Sequence, residues 1–138
     1  MADLDGSGTV LIIDDEPMNI ILLEAILRRE GFATLRAADG PEGRAVAERE
    51  RPALILLDVM MPGENGLETC RRLKENPKTA AVPVIFVSAL DEAERTADGF
   101  SSGAAGFITK PFNAAEVLAR VRRHLSPLPP GNPEPGKR

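Results

Sequence analysis

Apolar residues along this chain follow two alternating rhythms. Five short runs rich in aliphatic or β-branched residues recur at regular intervals: TVLII (9–13), ATLRA (33–37), ALILL (53–57), VIFVS (84–88) and GFITK (106–110). Such runs read as β-strands. Between them the apolar positions are spaced near 3.6, as in Met18, Ile21, Leu22, Ala25 and Ile26, and later in Val117, Leu118, Val121 and Leu125. That spacing predicts amphipathic helices with these residues as the apolar face.

The punctuation fits. Pro17 and Pro41 stand where a first helical turn tolerates a missing N–H, and Gly31 follows the first helix where a left-handed cap is wanted. Strand alternating with helix five times implies right-handed crossovers and a parallel sheet covered on both faces. Double coverage also explains why the first, third and fourth strands are nearly continuous in apolar residues. The expected fold is an open, doubly wound α/β sandwich over about residues 9–125. Residues 1–8 read as a polar leader. Residues 126–138, SPLPPGNPEPGKR, hold five of the twelve prolines and no periodic apolar residue, so they read as a tail or linker.

Composition narrows the function classes. With 43% hydrophobic and 28% charged residues, 138 residues suit one globular domain. Net charge is −4 and the basic residues are scattered rather than gathered in a stripe, which argues against direct nucleic-acid binding. The start, MADLDGSG, has no basic segment followed by an apolar run, and no stretch approaches a membrane span, so a cytoplasmic location is expected. One cysteine, Cys70, and one histidine, His124, cannot assemble a soft-metal site. Any metal must be held by carboxylates and carbonyls, as a hard ion such as Mg²⁺ prefers.

In doubly wound sheets ligands bind outside the carboxyl ends of the strands. Here the first strand ends in Asp14 and Asp15, the third in Asp58, the fourth in Ser88, and the fifth in Lys110 followed by Pro111. At about 5 Å and an effective dielectric near 20, each carboxylate pair costs roughly 3 kcal/mol, so positive charge must sit among them. A divalent cation and the Lys110 ammonium would supply it. The arrangement suits phosphoryl transfer, in which the protein mainly positions groups and neutralises charge. Asp58 is the natural nucleophile, giving an acyl phosphate, and the Ser88 hydroxyl can donate a further hydrogen bond.

Four motifs now stand in order at strand ends: the DD pair at 14–15, DVMMPGENG at 58–66, VSA at 87–89 and GFITKPF at 106–112. Together they resemble the response-regulator receiver family of two-component signalling, over about residues 9–125. The resemblance implies a flavodoxin-like sheet of strand order 2-1-3-4-5 with five helices. It implies that Asp58 accepts phosphate from the phosphohistidine of a histidine kinase or histidine phosphotransfer protein, or from a small phosphodonor. It implies a Mg²⁺ site, in which Mn²⁺ can substitute. Asp15, Asp58 and the Met60 backbone carbonyl would be direct ligands there, and Asp14 would act through water. Lys110 would contact the phosphoryl group, and the Lys110–Pro111 bond would be cis. On output, Ser88 would move toward the phosphoryl group and Phe107 would turn inward. The surface of the fourth predicted helix, the fifth strand and the fifth predicted helix would then change to meet an effector or partner. Such a chain is a switch rather than an enzyme, catalysing only its own phosphotransfer and dephosphorylation.

Three departures from common relatives qualify these expectations. Phe107 replaces a tyrosine, removing a phenolic hydroxyl. Met60 and Leu90 flank the site with apolar side chains, which predicts slow autodephosphorylation. The segment GAAGF (103–107) lacks the acids that pair with arginines of the last helix in salt-bridged dimers, although Arg120, Arg122 and Arg123 remain, so a phosphorylation-dependent homodimer stays open. Taken singly, Asp14 or Asp58 would read as helix caps, Ser88 as a cap, Lys110 as surface charge and Phe107 as core filling. Cys70 reads as a small core residue, and His124 as a surface cation suited to a helix C-terminus. Two rival functions are a pseudo-receiver scaffold, which should lack site residues, and an aspartate-nucleophile phosphatase. The latter wants a second acid two residues after the nucleophile, where this chain has Met60. With no effector domain after the receiver, the chain reads as a stand-alone regulator or as a fragment of a hybrid kinase or multidomain regulator.

Overall fold

A computed structural model describes residues 8–89 and 103–125. Strands β1 (Thr9–Ile13), β2 (Ala33–Ala37), β3 (Leu54–Asp58), β4 (Val84–Ala89) and β5 (Gly106–Lys110) form one parallel sheet in the order β2-β1-β3-β4-β5. Helices α1 (Pro17–Arg29), α2 (Gly40–Glu50), α3 (Gly66–Glu75) and α4 (Ala114–Leu125) complete the described elements. The fourth of the five helices expected from sequence, Leu90, and the leader and tail segments fall outside the described residues, apart from Gly8.

Alternation along the strands sorts side chains into two cores, as a period of two requires. Leu11, Ile13, Ile55, Leu57 and Phe86 pack with Val46, Ala47, Cys70 and Leu73 on the α2/α3 face. Val10, Ile12, Leu54, Leu56, Ile85, Val87 and Ile108 pack with Ile20, Leu23, Leu27, Val117 and Val121 on the α1/α4 face. Both faces are covered, so the central strands can be apolar throughout. Cys70 is fully buried, as its apolar spacing predicts.

One predicted face is corrected. Helix α1 buries Ile20, Leu23, Glu24 and Leu27, while Met18, Ile21 and Leu22 are 61%, 49% and 47% exposed. Two apolar stripes share this helix, and the buried one contains a glutamate. Glu24 is tolerated there because Arg36 of β2 donates to both its oxygens, at 2.5 and 3.1 Å. Gly31, at φ +94, ends α1 in the left-handed region, where a glycine avoids the Cβ clash.

Candidate functional site

The loops leaving β1, β3 and β5 converge at one sheet edge. Asp14 directly follows buried Ile13, and its N–H donates to the Ala37 carbonyl of the neighbouring strand β2 at 3.1 Å. Its Oδ1 accepts the Glu16 N–H at 2.8 Å, so this carboxylate also shapes the turn into α1. Asp58 is the last residue of β3, held in register beside Val87 of β4. One carboxylate oxygen from each of Asp14, Asp15 and Asp58 lies within 4.8 Å of the others. Asp14 and Asp58 are buried, and Asp15 is the more open of the three. Lys110 ends β5 and brings its Nζ to 3.4 Å from Asp58 Oδ1 and 3.8 Å from Asp14 Oδ2.

One ammonium does not balance this much buried carboxylate. Burial and, after it, the charge of Asp14 push the Asp58 carboxyl up to about 7, against the opposing pull of Lys110 and the Met60 N–H. Asp14 is raised as well, chiefly by burial, with the Glu16 N–H, Lys110 and Asn19 opposing and Asp15 adding repulsion. An all-oxygen donor set short of positive charge suits a hard divalent cation. In an octahedron of oxygens about 2.1 Å from Mg²⁺, ligand oxygens are roughly 3 to 4 Å apart, a spacing this cluster can meet.

The remaining expected residues cluster by register. Ser88, near the end of β4, is 1% exposed and pairs with Thr109, one residue before Lys110. Phe107 is half-buried against the α2/α3-side core and stands beside Phe86. The Lys110–Pro111 peptide bond is cis. Met60, two residues beyond Asp58, is 55% exposed. His124 is partly buried, and that burial together with the charges of Arg123 and Arg120 pushes its imidazole down.

Sequence reasoning missed a group beside the loop from β3 to α3. Arg44 of α2 donates to both oxygens of Glu64, each at 2.9 Å, and the hydroxyl of buried Thr69 of α3 donates to Glu64 Oε2 at 2.8 Å. Burial alone would raise this carboxyl, but these donors and the charges of Arg44 and Arg72 outweigh it and hold Glu64 below the ordinary glutamate value. No local spacing signals a pair twenty residues apart.

With this geometry in place, comparison with known proteins is specific. The model of the response regulator receiver domain matches residues 10–122. Response regulator PleD of Caulobacter vibrioides is 45% identical over 84% of the chain, which spans 26% of PleD. Protein PilH of Pseudomonas aeruginosa is 35% identical over 85% of the chain and 97% of PilH. The receiver domain of a sensor histidine kinase from Pseudomonas aeruginosa PAO1, solved with magnesium coordinated in its active-site cleft, superposes with a TM-score of 0.80. It is 28% identical, over 87% of this chain and 98% of that one. The chain thus spans about a quarter of PleD and nearly all of PilH.

Proposed function

This chain belongs to the response regulator receiver domain family, and we propose that Asp58 is its phosphoacceptor, charged by a histidine kinase or histidine phosphotransfer protein. The observation that carries the reading is the Lys110 ammonium 3.4 Å from an Asp58 oxygen, inside a three-carboxylate cluster.

In the reaction, an Asp58 carboxylate oxygen attacks phosphorus, a P–O bond forms, and the P–N bond to the donor histidine breaks with the electron pair returning to the imidazole. Lys110 stabilises the charge on the transferring oxygens, and the Ser88 hydroxyl donates to the product phosphoryl group. Asp15, Asp58 and the Met60 carbonyl would hold Mg²⁺, with Asp14 acting through water, and the ion supplies the positive charge that the phosphoryl oxygens require. Ionised Asp58 is the nucleophile, and a cation held there would favour that ionised form.

A protein donor fits the surface around the site. Among the described residues the exposed large hydrophobic side chains are Met18, Ile21, Leu22 and Met60. Three lie on the first two turns of α1, just after Asp14 and Asp15, and the fourth follows Asp58. An apolar border of this kind favours docking of a macromolecular partner over capture of small phosphodonors alone. Output would run through β5, α4 and the helix expected before β5, with Ser88 and Phe107 as switch residues and a phosphorylation-dependent homodimer as one outcome. Apolar Met60 slows attack of water, giving a phosphoryl lifetime well beyond seconds. No described helix is long and apolar enough to cross a membrane; a cytoplasmic location agrees with the proposed kinase partner.

Incubation with Mg²⁺ and acetyl phosphate followed by intact mass tests the reading. The native chain should gain one phosphoryl group and Asp58→Asn none. Equal labelling of both would place the acceptor elsewhere.

A further inference from the structure

The loop from β3 to α3 carries Asp58 at its start and the Met60 carbonyl two residues on. Its anchors are few. The Gly66 N–H closes it by donating to the Val59 carbonyl at 2.8 Å, and Met61 is buried in the α2/α3-side core. Asn65 caps α3 by accepting the Glu68 N–H at 2.9 Å. Met60, Pro62 and Gly63 are exposed, and Gly63 sits at φ +77. Glu64 is the loop side chain whose described bonds reach a different element, α2.

Three features separate its bonds from an ordinary surface ion pair. The Arg44 contact is bidentate, a geometry that fixes both partners. The Glu64 side chain is only 13% exposed, so water competes weakly. Thr69, wholly buried, adds a third donor on the same carboxylate while its hydroxyl also lies 3.0 Å from the Asn65 carbonyl. The first turn of α2 presses on this group: a Cβ at Gly40 would stand 2.2 Å from Thr69 Oγ1 and 2.7 Å from Glu64 Oε2. Three elements thus meet on one carboxylate. The Glu68 pairs with Arg71 and Arg72, by contrast, lie on the open face of α3 and tie nothing to a neighbour.

We propose that Glu64 is a positioning residue: clamped by Arg44 and Thr69, it fastens the phosphoacceptor loop to α2 and fixes the Met60 carbonyl and Asp58 for cation binding. The inference rests on the phosphoacceptor reading of Asp58. Loosening the clamp leaves the β3 backbone paired with β4 but lets the Met60 carbonyl shift relative to the Asp58 carboxylate, so the cost falls on metal affinity before it falls on folding.

The test is Mg²⁺ titration by calorimetry or NMR on the native chain, Glu64→Gln and Arg44→Gln, with thermal unfolding in parallel without metal. The expected result is a Kd for Mg²⁺ raised on the order of tenfold in both variants, as for lost outer-shell support. Acetyl phosphate labelling should slow with it, and the exchanged pair Arg44→Glu with Glu64→Arg should recover part of the affinity. A purely structural role would lower the melting temperature and leave the Kd unchanged, and that outcome overturns the proposal. If the native chain itself takes no phosphoryl group, the functional reading fails; if it does while the variants bind Mg²⁺ like the native chain, the clamp inference fails alone.

Discussion

The Lys110 ammonium lies 3.4 Å from Asp58 and 3.8 Å from Asp14, so one cation from β5 serves two buried carboxylates from β3 and β1. Lys110→Met removes that charge and leaves the burial and the Asp14 repulsion unopposed. The Asp58 carboxyl, already near 7, should then titrate higher still. Side-chain carboxyl ¹³C shifts followed against pH in metal-free protein report it directly, and a value equal to or below the native one would contradict the shared-cation picture.

The same raised carboxyl makes metal-free stability depend on pH. In the unfolded chain an aspartate ionises near 3.9, whereas folded Asp58 holds its proton to about 7. Between those values the folded state binds more protons, so stability falls as pH rises. Below about 4 the group contributes nothing. Above about 7 the full penalty, on the order of 4 kcal/mol, is present. Urea unfolding at pH 5 and pH 8 should show the loss, and Asp58→Asn should reduce it, with raised Asp14 leaving a remainder of the same sign. An Asp58→Asn profile as steep as the native one would assign the dependence to other groups.

Magnesium should reverse that loss. A cation bound by folded protein alone stabilises by about 2.7 kcal/mol at one hundred times its Kd. The melting temperature should therefore climb with Mg²⁺ at pH 8 and respond less at pH 5, where protonated Asp58 resists coordination. Asp15→Asn should blunt the rise without removing the pH dependence of the metal-free protein. A Mg²⁺ response that survives both Asp15→Asn and Asp58→Asn would place the ion elsewhere.

Strands and strand-end chemistry were legible in the sequence because both are local. A parallel strand buried on two faces must be apolar, and TVLII and VIFVS announce themselves. Asp14, Asp15, Asp58 and Lys110 each terminate such a run, so the topology alone assembles them. Helix α1 misleads because Met18, Ile21 and Leu22 imitate a core stripe, while the stripe that packs includes Glu24, whose charge is answered mainly by the bidentate Arg36 twelve residues later, with Arg28 one turn on at 3.7 Å. Glu64 was invisible for the same reason: its partner comes from another helix. Long-range polar pairing leaves no period to read.

The buried Glu24 offers a sign test. Its apolar neighbours on α1 are Ile20, Leu23 and Leu27, and Arg36 is 57% exposed, free to turn to water if its partner goes. Glu24→Leu should therefore be close to neutral, or stabilising by about 1 kcal/mol, because a buried ion pair seldom outperforms a packed apolar side chain. Glu24→Ala should cost about 2 kcal/mol by opening a cavity. Chemical unfolding of the two variants decides it; a Leu variant as damaged as the Ala variant would mean that the ion pair itself holds β2 to α1.

Two glycines separate fold from site. A Cβ at Gly66 would stand 2.2 Å from the Asp58 carbonyl oxygen and 2.7 Å from Val59 Cα, both backbone atoms that cannot swing aside. Gly66→Ala must displace either α3 or the end of β3, and it should cost about 1 to 3 kcal/mol, as overpacking does. Asp58 moves with the displaced backbone, so acetyl phosphate labelling and Mg²⁺ affinity should fall with stability. At Gly31 a Cβ meets nothing within 4 Å, and only the φ of +94 resists substitution. Gly31→Ala should therefore lose about 1 to 2 kcal/mol through backbone strain, while phosphorylation and metal binding stay native. Intact mass after acetyl phosphate, read beside urea unfolding for both variants, distinguishes them. A Gly66→Ala protein that labels at the native rate would show that the β3–α3 loop need not be held where it is for the chemistry at Asp58.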